Sequence, residues 1–468
     1  MKLKVKMNKI NIAITCILLI LCANSSVFLT GCAQIGAPTG GPKDTIPPTL
    51  VRAAPESRTT NFPGQRIVLQ FDEYIAVEDI LNNVLVSPYQ PIPPVISYNF
   101  RTVTVRFRDI LLPNTTYSIN FGNAIRDLNE GNPLKGFEFT FSTGDVIDSL
   151  SVSGNVTMSE TGLVDSSVLI LLYNNLSDTA VRTMDPSYIA RVRGDGFFEF
   201  KNLPPGNFNV FALRDGDNSR TYNSKSEAFA FLDSSITLVD AISGLNLYAY
   251  EQVKAPPAPA TKPKANADKK LKYTTTIVAG KHDLLTGLKI SFNNSIKDLP
   301  ENPIVLTDSN YNLIQNSGFT ADSTRKVFSA DPGWKPGSDY RLIIKEGITD
   351  SAGNSISGSD TIRFSANTTE AYGRVVLRFT NLDLSEHHVL QFVQSDKIIL
   401  SFPLTSTEFR NDLVPPGDYD LRILNDFNRN GIWDPGNYDE RKQPERAITL
   451  SQKLSIKANW DNERDISL

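Results

Sequence analysis

The chain has 468 residues, with 47 Lys and Arg against 51 Asp and Glu and a formal net charge of −4. This mild acidity gives no basic surface for nucleic acid, and 40% hydrophobic content excludes wholesale disorder. Twenty-eight Gly and 28 Pro are an average level, which excludes collagen-like or Pro/Gly low-complexity architectures. At roughly 100–150 residues per domain, the length predicts three to five domains. The chain opens on a basic stretch carrying Lys2, Lys4, Lys6 and Lys9. Residues 10–23, INIAITCILLILCA, follow as an apolar run. The run is shorter than the roughly 18–20 residues that a spanning helix needs, so it reads as a cleaved secretory signal. Removing residues 1–31 leaves 437 residues with 43 basic and 51 acidic side chains, a net charge of −8.

The leader ends at Leu29-Thr30-Gly31-Cys32, which resembles the lipobox of bacterial lipoproteins. The resemblance implies lipidation of Cys32 and cleavage before it, with 1–31 as signal peptide and 32–44 as a Gly/Pro-rich tether. An ordinary secretory signal with an incidental cysteine is the other reading. Cys16 and Cys22 fall in the discarded segment, so Cys32 is the single mature cysteine and no intramolecular disulfide can form. One acyl chain anchors marginally and several anchor durably, so the expected partner is the membrane, held through the N-terminal lipid. Ala33 rather than Asp after the cysteine implies, by resemblance to Gram-negative lipoproteins, the outer membrane, with its periplasmic or surface face left open.

Beyond the tether, short runs alternate apolar with polar residues. They include Arg66–Phe71, Thr102–Phe107, Tyr117–Phe121 and Phe137–Ser142. Turn residues interrupt them every roughly 8–12 positions, the pattern of antiparallel sheets in sandwiches or barrels. Two repeats are interleaved. Pro113–Tyr117 matches Pro336–Tyr340, Ile125-Arg-Asp127 matches Ile348-Thr-Asp350, and Phe141-Ser142 matches Phe364-Ser365, all at one offset of 223. Leu203-Pro-Pro-Gly-Asn-Phe208-Asn-Val210 matches Val414-Pro-Pro-Gly-Asp-Tyr419-Asp-Leu421 at an offset of 211, which also sets Asp215 on Asp426. The chain therefore reads as A (45–146), B (148–250), a Pro/Ala/Lys-rich linker (251–270), A′ (271–368) and B′ (370–468).

The A modules resemble the SbsA-type bacterial Ig-like domain. The resemblance is carried by Phe71-Asp72, Pro113–Tyr117, the Asp127…Gly131-Asn132 turn and Phe139–Thr143. A′ keeps Asp350…Gly353-Asn354 but has Asn293 after Phe292, so the acid is lost there. The B modules resemble carboxypeptidase-regulatory, transthyretin-like sandwiches through Gly196-Phe197, Phe200 and the Leu-Pro-Pro-Gly-x-Phe-x-Val run. Alternation predicts that Phe208, Val210 and Ala212 face a core. B′ has Thr407-Glu-Phe409 in place of Gly-x-Phe. The expected fold class is all-β, with tandem Ig-like and transthyretin-like β-sandwiches behind a cleaved lipoprotein signal peptide.

One segment carries metal-like spacing. Asp426, Asn428, Asn430, Ile432 and Asp434, with Gly431 at the sharp turn, follow the opening of an EF-hand-type calcium loop, Ile432 contributing its carbonyl. Position 12 is Asn437 rather than Glu, so a bound Ca²⁺ would be weak and structural, or its site completed by Asp439 or Glu440. An Asx-rich hairpin turn is the alternative. The B counterpart, Asp215-Gly-Asp217-Asn-Ser219, keeps fewer strong ligands. No Gly-x-Ser-x-Gly, His-Glu-x-x-His, P-loop or Gly-x-Gly-x-x-Gly pattern occurs. His387-His388 reads as a polar turn, and Asp72-Glu73 as a solvated strand-end pair rather than half of a glycosidase dyad. The expectation is a non-catalytic, lipid-anchored envelope protein with its modules in series, acting as a scaffold or binding spacer. The alternative is a carbohydrate-binding or glycan-handling envelope protein.

Overall fold

The computed structural model describes residues 43–254, 270–315 and 317–468, together with Ile14. Cys32, the rest of the leader and most of the tether and linker lie outside the described residues. The described chain is nearly all β, with α-helix only in single turns such as Ile80–Asn83 and Ala180–Thr183. Tandem β-sandwiches are the architecture.

In A, one sheet runs Leu50–Ala54, Arg66–Phe71, Thr102–Arg106, Val95–Asn99, and another runs Leu85–Ser87, Thr116–Asn120, Glu138–Ser142. Alternation puts Ile67, Leu69 and Phe71 of the first sheet opposite Tyr117 and Ile119 of the second, all buried. Tyr117 stacks on Phe141 at 5.3 Å. A′ repeats this plan with Tyr273–Thr275, Leu288–Phe292, Val327–Ala330 and Thr320–Ala321 against Ile304–Asp308, Asp339–Ile344 and Asp360–Ala366. Its core adds Trp334, whose ring meets the buried His282 ring at 4.6 Å.

B and B′ share one topology. In B, Leu150–Met158 pairs antiparallel with Phe197–Leu203 and parallel with Ile242–Ala249. The facing sheet runs Tyr188–Arg191, Leu169–Tyr173, Gly206–Leu213, Phe229–Phe231, with Ile236–Leu238 also on Gly206–Leu213. B′ reproduces each pairing. Gly373–Thr380 sits between Glu408–Val414 and the parallel Asp461–Ser467. Lys397–Pro403, His388–Gln394, Gly417–Asn425 and Arg446–Thr449 form the other sheet. Phe208, Val210 and Ala212 do face the B core.

The same B strands are apolar on their second face as well. Leu171, Tyr173, Phe211 and Leu213 point away from the core and are buried in a second cluster with Tyr222, Phe229, Phe231 and Tyr250. A face of this kind must be covered, because each large apolar side chain returned to water costs roughly 1.5–3 kcal/mol. Two neighbours cover it. Leu85 and Tyr89 come from A, and Tyr438 and Trp433 come from B′.

This corrects the expectation of modules in series: B′ returns across the linker and A′ to pack on B. Tyr438 is buried with its ring 5.1 Å from those of both Phe229 and Phe231, and its hydroxyl donates to the Asp178 carbonyl at 3.0 Å. Arg182 pairs with Asp439 at 2.6 Å, Arg441 pairs with Asp178, and the Gln443 amide donates to the Phe231 carbonyl at 3.1 Å. The Ala447 N–H donates to the Ser159 carbonyl at 2.7 Å, joining the B′ sheet edge to B. Two glycines permit the approach. A Cβ on Gly162 would lie 2.5 Å from the Ala447 carbonyl oxygen, and one on Gly436 would lie 2.6 Å from the Tyr250 ring. A is fixed to B at the other side, where Asn202 donates to Ser118 Oγ at 3.0 Å and Glu138 Oε1 at 3.1 Å.

Candidate functional site

The two B-type modules each hold an acidic loop between the sheet-centre strand and its next partner. In B′ the loop starts at Asp426, just past the strand Gly417–Asn425. Asp426 is buried and accepts the Asn430 N–H at 3.2 Å on Oδ1 and the Gly431 N–H at 2.7 Å on Oδ2. Gly431, at φ +79°, takes the left-handed turn that a glycine adopts freely. Asn430 Nδ2 donates to Asp434 Oδ2 at 2.8 Å, the Asn428 amide donates to the same oxygen, and Asn430 Oδ1 accepts the Ile432 N–H at 2.8 Å. The structure therefore brings Asp426, Asn428, Asn430 and Asp434 together, with the Ile432 side chain exposed. The loop is closed by its own donors, in the manner of linked Asx turns.

A residue missed in the sequence completes it. Glu445 is buried beneath the loop, accepting the Phe427 N–H at 2.9 Å and the Asp434 N–H at 3.0 Å, and its own carbonyl receives the Trp433 indole at 2.8 Å. Burial pushes the Glu445 carboxyl up from its ordinary value.

The B loop has the same frame. Leu213 pairs with Phe229 as Leu424 pairs with Ala447, so Glu227 and Glu445 each stand two residues before the equivalent strand position. The loops differ in length, which hides the match from ungapped comparison. Glu227 accepts the N–H groups of Asn223 and Ser224, each at 3.2 Å, through Oε2. Burial, opposed by those donors, pushes its carboxyl up, and the charges on Asp217 and Asp215 push it further. Asp217 is exposed and held down to about 2 by the Asn223 amide and then by Ser219. The ligand oxygens of Asp215, Asp217 and Glu227 lie within 4.8 Å of one another.

The acids singled out in the A modules hold turns. Asp127 is buried, and although burial disfavours its charge, the N–H groups of Glu130, Gly131 and Asn132 at 2.6, 2.9 and 2.7 Å hold its carboxyl below the ordinary range. Asp350 does the same work in A′ through Ala352 and Asn354. Asp72 accepts the Thr49 N–H at 2.8 Å and the Thr49 hydroxyl, so it pins the first strand to the second. Asn293 keeps that role without the charge, accepting the Lys272 N–H at 3.0 Å. His388 opens the strand His388–Gln394, with His387 in the left-handed region at φ +31° just before it.

Residues 44–143 match the family described as bacterial Ig-like domain. No curated protein matches the sequence. Among solved structures, the TIE protein of Bacillus anthracis is 11% identical, with 92% of this chain and 76% of that one covered at a TM-score of 0.16. The N-terminal part of the bacterial S-layer protein SbsC is 12% identical, with 44% of each chain covered at 0.16. BcpA, the major pilin subunit of Bacillus cereus, is 8% identical, with 69% of this chain and 99% of that one covered at 0.15. Scores this low do not establish a shared overall arrangement. What stands is a bacterial Ig-like domain at the head of a tandem β-sandwich chain.

Proposed function

We propose that this chain is a lipid-anchored, non-catalytic scaffold of the bacterial cell envelope, held in the outer membrane through Cys32. It would carry a stiff A–B–B′ body for protein or glycan partners. The observation that carries the reading is the sequence Leu29-Thr30-Gly31-Cys32 behind a basic and apolar leader, standing before a bacterial Ig-like domain at 44–143. The B–B′ packing supports it, because a body docked through buried aromatic side chains transmits position better than free modules on linkers. The use of Asp72, Asp127 and Asp350 to hold backbone N–H groups supports it too, since those are tasks of construction. For the glycan-binding alternative, the exposed pair Tyr74 and Phe100 would be the first platform to consider. Their rings stand edge to face at 60°, which is not the flat surface that a sugar ring stacks upon.

Metabolic labelling with palmitate tests the anchor. The full chain should incorporate label and fractionate with outer membranes, and Cys32→Ser should do neither while remaining folded. Label retained in Cys32→Ser would overturn the reading.

A further inference from the structure

We propose that Asp215, Asp217 and Glu227 of module B bind one hard divalent cation of the calcium class, independently of the Asp426–Asp434 loop.

Three carboxylates whose ligand oxygens fall within 4.8 Å of one another repel each other strongly. Arg220 answers part of that charge, with its backbone N–H at 3.2 Å and its guanidinium at 2.8 Å from Asp215 Oδ2. Two negative charges remain, which a divalent ion matches. An independent feature points the same way. The Asp215 side chain is 1% exposed, and its other oxygen, Oδ1, is fully buried without any hydrogen-bond partner. A buried carboxylate oxygen left unpaired loses its hydration without compensation, so such atoms normally have a partner.

The donor set is all oxygen, which selects hard cations over zinc or copper. Oxygens on opposite sides of Ca²⁺ stand roughly 4.6–5.2 Å apart, given bond lengths of about 2.3–2.6 Å, whereas Mg²⁺ requires a tighter octahedron. The B′ loop differs at the corresponding acid. Both Asp426 oxygens there already hold backbone N–H groups.

The test is equilibrium dialysis of the full chain in detergent, stripped with EGTA, against radiolabelled Ca²⁺. Asp217 is exposed, so Asp217→Asn should fold as the parent does, and near-UV circular dichroism would verify it. A site with a Kd no weaker than about 10⁻³ M, the upper bound for extracellular modules, should be present in the parent and unchanged in Asp434→Asn. It should be weakened at least tenfold in Asp217→Asn and Glu227→Gln. Saturating Ca²⁺ should raise the melting temperature of the parent and of Asp434→Asn but not of Asp217→Asn. No binding at millimolar Ca²⁺, or binding that Asp434→Asn abolishes and Asp217→Asn leaves intact, would overturn the assignment.

Discussion

Replacing Tyr438 by Ala should release B′ from B without unfolding either. The ring belongs to B′, and its aromatic neighbours Phe211, Tyr222, Phe229 and Phe231 all belong to B, at centroid distances of 5.8, 6.4, 5.1 and 5.1 Å. Removing a buried aromatic side chain costs about 3–5 kcal/mol, and the hydroxyl bond to the Asp178 carbonyl accounts for about 1 kcal/mol of a Tyr loss. A loss of about 4 kcal/mol in the contact lowers the docking equilibrium roughly a thousandfold. The flanking pairs Arg182–Asp439 and Arg441–Asp178 are half-exposed and each contributes at most about 1 kcal/mol. They cannot compensate. Native-state hydrogen exchange should show the Ala447 amide, which donates across the contact to the Ser159 carbonyl, losing protection while the amides paired within each module keep theirs, and urea unfolding should broaden or split. Tyr438→Phe keeps the ring, should lose about 1 kcal/mol and should stay docked. If Tyr438→Ala behaves as Tyr438→Phe does, the ring does not hold the modules together and the reasoning fails.

Three further outcomes follow from the same geometry. Asp127→Ala strands three backbone N–H groups at its turn and should destabilise A by about 3 kcal/mol in urea unfolding, while Asp127→Asn should lose less. In A′ the Asp350 carboxyl is held down to about 2, foremost by the Asn354 amide, against an ordinary value of 3.8. Its folded value is depressed, so its stabilisation is complete above pH ~4 and fades as pH falls toward ~2. A calorimetric pH series should show that acid limb and show it flattened in Asp350→Asn. Glu227 and Glu445 are shifted upward, so their effect has the opposite sign: it is fully present below the ordinary carboxyl value and is lost as pH rises through the folded one. Finally, a Cβ on Gly154 would lie 2.2 Å from the Leu245 carbonyl oxygen across the parallel pair, so Gly154→Ala should lower B stability by about 1–3 kcal/mol in thermal melts.

Much of the fold was legible because period-2 alternation marks a half-buried strand. Phe208, Val210 and Ala212 are an instance, facing the core as alternation requires. The runs Leu169–Tyr173 and Val210–Leu213 break that pattern by being apolar at every position, the mark of a strand covered on both faces. What covers the second face was not legible. Tyr438 lies in the polar stretch Asn437–Gln443, where nothing in the local pattern sets one aromatic ring apart as an anchor. The acidic loops show a similar division. The spacing of Asp426, Asn428, Asn430 and Asp434 was visible, but Glu445 and Glu227 enter from the far side of loops of unequal length. Only the strand pairing puts them in register. Asn293 shows the converse: the charge of Asp72 is lost while its hydrogen-bonding role to the first strand is kept.

The claim on which the stiff-scaffold account rests is that B′ folds back onto B. It is tested most directly by the distance between spin labels at positions 178 and 441, in a chain whose Cys16, Cys22 and Cys32 are replaced by Ser. Asp178 and Arg441 form an ion pair across the contact, so the account predicts a single short and narrow distance distribution. A long, broad distribution, as expected of modules swinging on the 251–270 linker, would contradict it.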